Sequence, residues 1–451
     1  MTDDRDGGHG RGAEPREPTA GAPERLPIER RRLLKGVGAG SLLLSTAGVV
    51  GGCGDVAAGG GGLQPAQGRP RAAGGGPGPQ EGMAGNLLSV PSLRDSFGAT
   101  GGGERDDAAA LGAVPAGAGV LLTPGIYRVA SDVTVRYHMW VMPGAVLRPD
   151  RGATITWAPG CSITAGDYQI FDDSAGGGFG GGANTVGWAR SSWFPGATRG
   201  QRDLGRQLNS AFAWGFLQVD VPPAPDHVIR TTVGLPHGAT VRCMWHGYPR
   251  HVVCATDDRP VFEAVGGVRH WRIIGGVFDG AAADTPSCFL LCGRDDAHRG
   301  QCGDTTALSE TQVTGNWGVG VIVSISAEVL VFSNCNLWTQ GRGDTSWGGP
   351  FATVVIANAD FWNVPYGYTR PGRRSASCSG IVFQNCDIRG GVGDEGSVFL
   401  LKGQVEDVSI VGTYLNAVGR CHILCEPGSD GGGWTSPRRL YVGGGGRTET
   451  N

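Results

Sequence analysis

Charge is scarce in this chain, and so is any sustained helical rhythm. Charged residues make up 18 % of its 451 residues, against a usual share of about a quarter. No basic stripe stands out, so nucleic acid is not an implied partner. Without residues 1–52, 30 basic side chains face 34 acidic ones, a charge of −4. The 82 glycines carry no Gly-X-Y period, which excludes collagen. No apolar period of about 3.6 residues persists for long, which argues against a helical bundle. The one long uncharged run, Val37 to Val50, has 14 residues, short of the roughly 20 needed to cross a bilayer as a permanent helix. The cysteine pairs Cys288/Cys292 and Cys421/Cys425 have no matching histidine array, so no metal site is read from them. Disulfides or buried core thiols remain as readings of the twelve cysteines.

Short apolar runs are what the chain does have. Gly119–Leu122, Ile126–Val129, Met139–Met142, Ala153–Trp157, Arg272–Phe278, Val319–Ser324, Glu328–Phe332, Ser379–Phe383, Ser397–Leu401 and Asp407–Gly412 are rich in β-branched residues and bounded by Gly, Pro, Asn or Asp, the signature of strands. No Asn-Gly turn links them, so antiparallel hairpins are not expected. Two units look alike: Val329 to Leu337 and Gly380 to Ile388 each place Phe, then Asn and Cys, at the same spacing (Phe332, Asn334, Cys335; Phe383, Asn385, Cys386). Val268 to Gly280 and Val408 to Leu415 share the rhythm of strand, short break, strand. Stacked coils would turn such equivalences into inward apolar rows and an asparagine ladder at a bend. A β-sandwich is the competing architecture.

The N-terminal region reads as an export signal. Residues 1–28 are polar and rich in Gly, Pro and charge. Arg30, Arg31, Leu33, Leu34 and Lys35 then precede the apolar run, which resembles a twin-arginine signal and implies its export machinery as a partner. Val50-Gly51-Gly52-Cys53 resembles a lipobox, with Cys53 the lipidated residue and the membrane reached only through that lipid. The expected layout is a signal peptide over 1–52, a Gly/Pro/Ala-rich tether over 53–85, a β-domain over 86–445 and a disordered tail over 446–451. The expected location is extracytoplasmic, anchored to the cell membrane.

A more specific resemblance lies in Phe97-Gly98-Ala99, Asp106-Asp107, Leu111, Val120, Pro124-Gly125 and Tyr127-Arg128. Together these are similar to the N-terminal opening of the pectate-lyase superfamily. The resemblance implies an all-β fold, a right-handed single-stranded parallel β-helix (solenoid), with an aspartate pair capping a short helix that seals the first coil. The segment from Ile163 to Asp172, with Trp193-Phe194, resembles a bridge in phage-tail-like members that joins one such opening to a second. The second opening, Phe194 to Leu208, keeps only Asp203 of the aspartate pair.

The resemblance also implies a polysaccharide partner, lying along one face of the stack. Asp295 and Asp296 faintly resemble the paired aspartates of polygalacturonases, whose Asn-Thr-Asp, Gly-His-Gly and Arg-Ile-Lys elements are absent here. Glycoside hydrolysis would use two such carboxyls. A lyase would instead need a base and a group that neutralises a uronate carboxylate. Arg389 and Lys402, with Asp394 and Glu395, are candidates, and calcium is the cofactor such a lyase would take. Trp338, Trp347, Trp362 and Tyr366, on what reads as one long loop, could stack on sugar rings. Two functions stand open: an exported, surface-anchored enzyme acting on polysaccharide as lyase or glycoside hydrolase, and a non-catalytic surface scaffold binding glycan or protein.

Overall fold

Extended backbone buries one side chain in two, and strands flanked by Gly, Asn and Asp must turn often. A computed structural model of the chain realises both tendencies. It describes residues 90–450 apart from 199–200, 246–250, 257–258, 266–267, 281–286, 293–302, 319, 326, 340–351, 358–377, 391–395, 418–420, 430–433 and 445–447. Arg30, Arg31 and Cys53 lie outside the described residues, as do Asp295, Asp296, Trp347, Trp362, Tyr366, Asp394 and Glu395.

The chain folds as a right-handed parallel β-helix with two successive stacks. In the first, Gly102–Asp106, Gly125–Val129 and Ala145–Pro149 form one sheet. Gly119–Leu122, His138–Val141, Cys161–Thr164 and Thr185–Val186 form another, and Val133–Val135, Thr154–Trp157 and Gly178–Gly180 a third. The second stack is longer. Its sheet 1 has nine strands, from Ala189–Arg190 to Arg438–Gly443. Sheet 2 has eight, from Val228–Ile229 to Thr448–Thr450, and sheet 3 has seven, from Val233–Gly234 to Cys421–Glu426. The strands of all six sheets pair in parallel. Among the described residues the antiparallel strand pairs are two short ones, Ala197–Thr198 with Gln201–Arg202 and Gly428–Ser429 with Trp434–Thr435, besides a single bridge between Asp150 and Gly176.

Register puts like on like. Phe332 lies opposite Phe383, and Phe383 opposite Ile410. The two phenylalanine rings stack with centroids 4.6 Å apart, a contact worth about 0.5–1.5 kcal/mol beyond its buried area. Phe262 and Phe289 repeat the arrangement at 5.2 Å.

The bend between sheets 1 and 2 shows why the Asn-Cys repeat recurs. Gly275, Glu310, Asn334, Asn385, Gly412 and Gly444 occupy it in successive coils, all with φ between 52° and 84°, a region open to Gly and tolerated by Asn. Each of the first five donates its backbone N–H to a carbonyl of the following coil: Gly275 to Ser309 at 2.8 Å, Glu310 to Ser333 at 3.0 Å, Asn334 to Gln384 at 3.0 Å, Asn385 to Val411 at 2.9 Å and Gly412 to Gly443 at 3.0 Å. The residues that follow four of these bends, Thr311, Cys335, Cys386 and Thr413, are buried. Thiol and hydroxyl share one task there, donating to nearby carbonyls such as Ser309 O from Thr311 and Ser333 O from Cys335.

Two openings carry helices. Helix α1 (Leu93–Phe97) is capped by Ser92, whose Oγ accepts from the backbone of Arg94 and Asp95, and it ends on Gly98 at φ 75°. Helix α2 (Ala108–Ala113) follows the aspartate pair, and here the expectation of a paired cap is corrected. Asp106 accepts from Ala108 N at 2.9 Å, but Asp107 makes no side-chain cap and binds Thr100 N, Thr100 Oγ1 and Gly101 N instead. Helix α3 (Leu204–Ala213) is capped by Asp203 through Gly205 N. Where the stacks meet, Trp157, Phe171, Phe179, Phe194, Trp214 and Phe216 pack edge-to-face and tilted, with Trp157 stacked on Phe179, and centroids 4.5–6.1 Å apart.

Candidate functional site

Alternation along sheet 2 directs every second residue away from the core. On Asn336–Trp338, Leu337 is fully buried while Trp338 is 36 % exposed. On Asp387–Gly390, Ile388 is buried and Asp387 and Arg389 are half-buried. On Tyr414–Ala417, Leu415 is buried and Tyr414 and Asn416 face outward. Register then sets these outward residues side by side: Trp338 lies opposite Arg389 and Arg389 opposite Asn416, while Asn336 lies opposite Asp387 and Asp387 opposite Tyr414.

The result is one cluster. Arg389 grips Asp387 with both arms of its fork, Nε to Oδ1 at 2.8 Å and Nη2 to Oδ2 at 2.5 Å. Its guanidinium carbon stands 5.9 Å from the Trp338 ring centre and 5.4 Å from that of Tyr414. A flat cation held between two aromatic rings and fixed by a carboxylate offers stacking surface together with directional donors. Asn416 Nδ2 lies 3.4 Å from the Tyr414 hydroxyl. The side-chain carbonyls of Asn336 and Asn416 have no hydrogen-bond partner among the described residues.

Three strands earlier on the same face stands a second polar pair. Asp279 is the outward residue of Val277–Gly280 and lies opposite Val253 and Thr314. His251, just before Val252–Cys254, places Nε2 3.9 Å from Asp279 Oδ2. Partial burial pushes the Asp279 carboxyl above the usual carboxylate range, and His251 works against that shift. Gly315 in the next coil, at φ 100°, makes the space: a Cβ there would stand 2.5 Å from Asp279 Oδ1. At about 4.8 Å per strand, Asp279 and the Arg389 cluster are roughly 14 Å apart. That exceeds the roughly 5–10 Å between the carboxyls of glycosidases, so Asp279 and Asp387 are not such a pair.

Of the residues singled out from the sequence, Arg389 and Trp338 meet here. Lys402 does not join them. It sits on sheet 3 in the strand Ser397–Lys402, in the same coil as Arg389 rather than the next, and pairs with Glu426 at 3.6 Å. The expectation of one long aromatic loop is also corrected, since Trp338 ends a strand and Ala352–Ala357 is itself a strand of sheet 3. Cys421 and Cys425 lie four residues apart along one strand, a span of about 13 Å that points them away from a shared metal. The cysteines among the described residues whose side chains are placed are free thiols, seven of them buried. His251 and Asp279 were missed, and the available signal was the polar residue at the outward position of Val277–Gly280.

No family model matches the chain, and no curated protein matches it. Among solved structures the chain is similar to a mannuronan C-5 epimerase A-module from Azotobacter vinelandii, at 16 % identity over 74 % of this chain and 97 % of that one, with a TM-score of 0.37. It is also similar to a family 28 exopolygalacturonase from Yersinia enterocolitica, at 11 % identity over 78 % of each chain and a TM-score of 0.29. A family GH82 iota-carrageenase from A. fortis matches at 13 % identity over 73 % of this chain and 59 % of that one, with a TM-score of 0.22. Likenesses at this level carry no argument about chemistry, and the fold rests on the register described above.

Proposed function

We propose that this is an exported protein that holds a polysaccharide along the outward face of sheet 2 and acts on it. The observation that carries the reading is the cluster in which Arg389, opposite Trp338, lies over both the Trp338 and Tyr414 rings, with Asp387 fixing the guanidinium. Aromatic faces suit the apolar faces of sugar rings, and an Arg fork suits a uronate or sulfate oxygen pair. His251 and Asp279 supply the proton-handling pair. One takes a proton from the sugar ring and the other gives one to the leaving oxygen, a division of labour that suits elimination by a lyase. Hydrolysis through Asp295 and Asp296 is the second enzymatic reading, motivated by sequence alone. A non-catalytic glycan scaffold is favoured by a different observation, since the Arg389 charge is already balanced by Asp387.

The signal and lipidation readings complete the proposal, placing the domain outside the cytoplasm on a Cys53 lipid. Replacing Cys53 by Ala should then release the protein from the membrane fraction, and unchanged retention rejects the anchor. Function is tested by incubating the purified protein with uronate-containing, sulfated and neutral polysaccharides, reading unsaturated products by ultraviolet absorbance and new reducing ends chemically. Lyase action gives both signals, and hydrolysis gives reducing ends alone. Trp338→Ala should weaken glycan binding about tenfold or more, as the loss of one stacking contact implies. Asp279→Asn should leave binding intact and remove turnover. Glycan binding by both wild type and Asp279→Asn without product from either leaves the scaffold as the function. No binding to any glycan rejects the proposal.

A further inference from the structure

Cys335 and Cys386 occupy the same position in neighbouring coils, between the paired residues Ser333–Gln384 and Asn336–Asp387. Neighbouring parallel strands run about 4.8 Å apart, inside the roughly 4.4–6.8 Å Cα window that a disulfide spans. Cys335 Sγ donates to Ser333 O at 3.3 Å. Cys386 Sγ also leans toward the coil of Cys335, 3.5 Å from Phe332 O and 3.4 Å from its own Gln384 O. Both side chains are at most 3 % exposed. Other buried thiols also meet backbone carbonyls, Cys161 with Val135 O at 3.3 Å and Cys378 with Ala357 O at 3.0 Å, but Cys335 and Cys386 stand in register on neighbouring coils.

We propose that Cys335 and Cys386 are a coil-to-coil disulfide site, closed by thiol–disulfide exchange with a small-molecule disulfide. One cysteine, as thiolate, attacks the oxidant's S–S bond, forming a mixed disulfide and releasing one small thiol. The second thiolate attacks the protein sulfur of that mixed disulfide and displaces the other small thiol. Two protein thiols are oxidised, and the oxidant disulfide takes the two electrons and leaves as two thiols. The bond would clamp two adjacent coils through residues 51 apart in the chain. The neighbouring coils show what the position tolerates, because Thr311 and Thr413 fill it with a hydroxyl.

The test refolds the full chain in a buffer of oxidised and reduced glutathione, blocks remaining thiols, and maps peptides without reduction. The expected result is a cross-linked peptide joining Cys335 to Cys386, lighter than its separated halves by two hydrogen atoms. The oxidised protein should also unfold a few degrees above the same sample treated with reductant. Cys335→Thr and Cys386→Thr, which place the neighbours' side chain at the site, should fold and show neither the cross-link nor the temperature difference. Both cysteines blocked in the wild-type sample overturns the proposal, leaving two buried free thiols. A cross-link from either residue to a different cysteine overturns the pairing.

Discussion

The two openings of the β-helix solve one problem with different means. Each must satisfy the first N–H groups of a short helix and tie that helix to the coil that follows. Asp106 accepts from Ala108 N, two residues on, and from Ala130 N in the next coil, both at 2.9 Å. Asp203 does the same with Gly205 N at 2.9 Å and Arg230 N at 3.0 Å. Asp203 therefore corresponds to Asp106, not to Asp107. The difference lies around them. Asp106 is exposed, and the buried Asp107 beside it separately binds the Thr100–Gly101 turn. At the second opening Leu204 stands in the place of Asp107, and the fully buried Asp203 adds a third bond from Thr231 Oγ1 at 2.6 Å. The first opening spreads its polar work over two carboxylates, and the second concentrates it in one. Concentration makes a site expensive to lose, because each donor left buried without a partner costs desolvation energy.

Replacing Asp203 by Ala should accordingly destabilise the protein most, by about 3 kcal/mol or more, since two N–H groups and a hydroxyl lose a charged acceptor. Asp106→Ala should cost only about 1 kcal/mol, the usual value for an exposed cap. Equal losses in chemical denaturation would break the comparison. Asp107→Ala frees the same set of donors, but those of Thr100 are only part-buried and none of them opens a helix, so it should fall between them at about 2 kcal/mol, and should expose the Thr100 and Gly101 amides to hydrogen exchange while leaving those of α3 protected. Protection lost equally in both openings would show that they unfold as one unit.

The smallest effect concerns the ion pairs beside the two openings. Arg128–Asp150 and Arg242–Asp220 are both two-pronged pairs between residues 22 apart. The Arg128 guanidinium holds the Asp150 carboxyl below the usual carboxylate range, with Arg148 adding to the effect. A lowered carboxyl stabilises the fold above its unfolded pKa, near 4, and loses that contribution as pH falls through its folded value. A modest loss of stability from about pH 4 downward should flatten in Asp150→Asn. An unchanged slope would mean that the solvent-exposed pair contributes nothing measurable, as many such pairs do.

The strands and the stack were legible because stacking repeats itself. A residue that must face inward in one coil must do so in the next, so Phe332 and Phe383 or Asn334 and Asn385 echo in the sequence as they do in space. The equivalence of Cys335 with Thr311 and Thr413 was not legible, because a thiol and a hydroxyl look unrelated until a shared bend gives them one task. The role of Asp107 was misassigned for a similar reason. Adjacent carboxylates on a chain entering a helix look interchangeable, yet the backbone turns them in opposite directions. The site was half legible. Arg389 and Trp338 stood out by residue type, but the partner of Asp279 lies 28 positions earlier at His251, and only register brings them together. Lys402 looked close to Arg389 along the chain, but the coil's change of sheet gave it Glu426 instead.

The bend row has a mechanical consequence. Each of the first five bends hands a single N–H to the coil that follows, beside the sheet hydrogen bonds that join the same two coils, and under tension along the stack axis these coil-to-coil interfaces bear load in series. Pulled from one end, the second stack should therefore yield in steps of about one coil's worth of chain, as solenoids with nearest-neighbour coupling do. Its weakest rung would be the final one, where the strand Arg438–Gly443 leaves Tyr441 and Val442 more than half exposed.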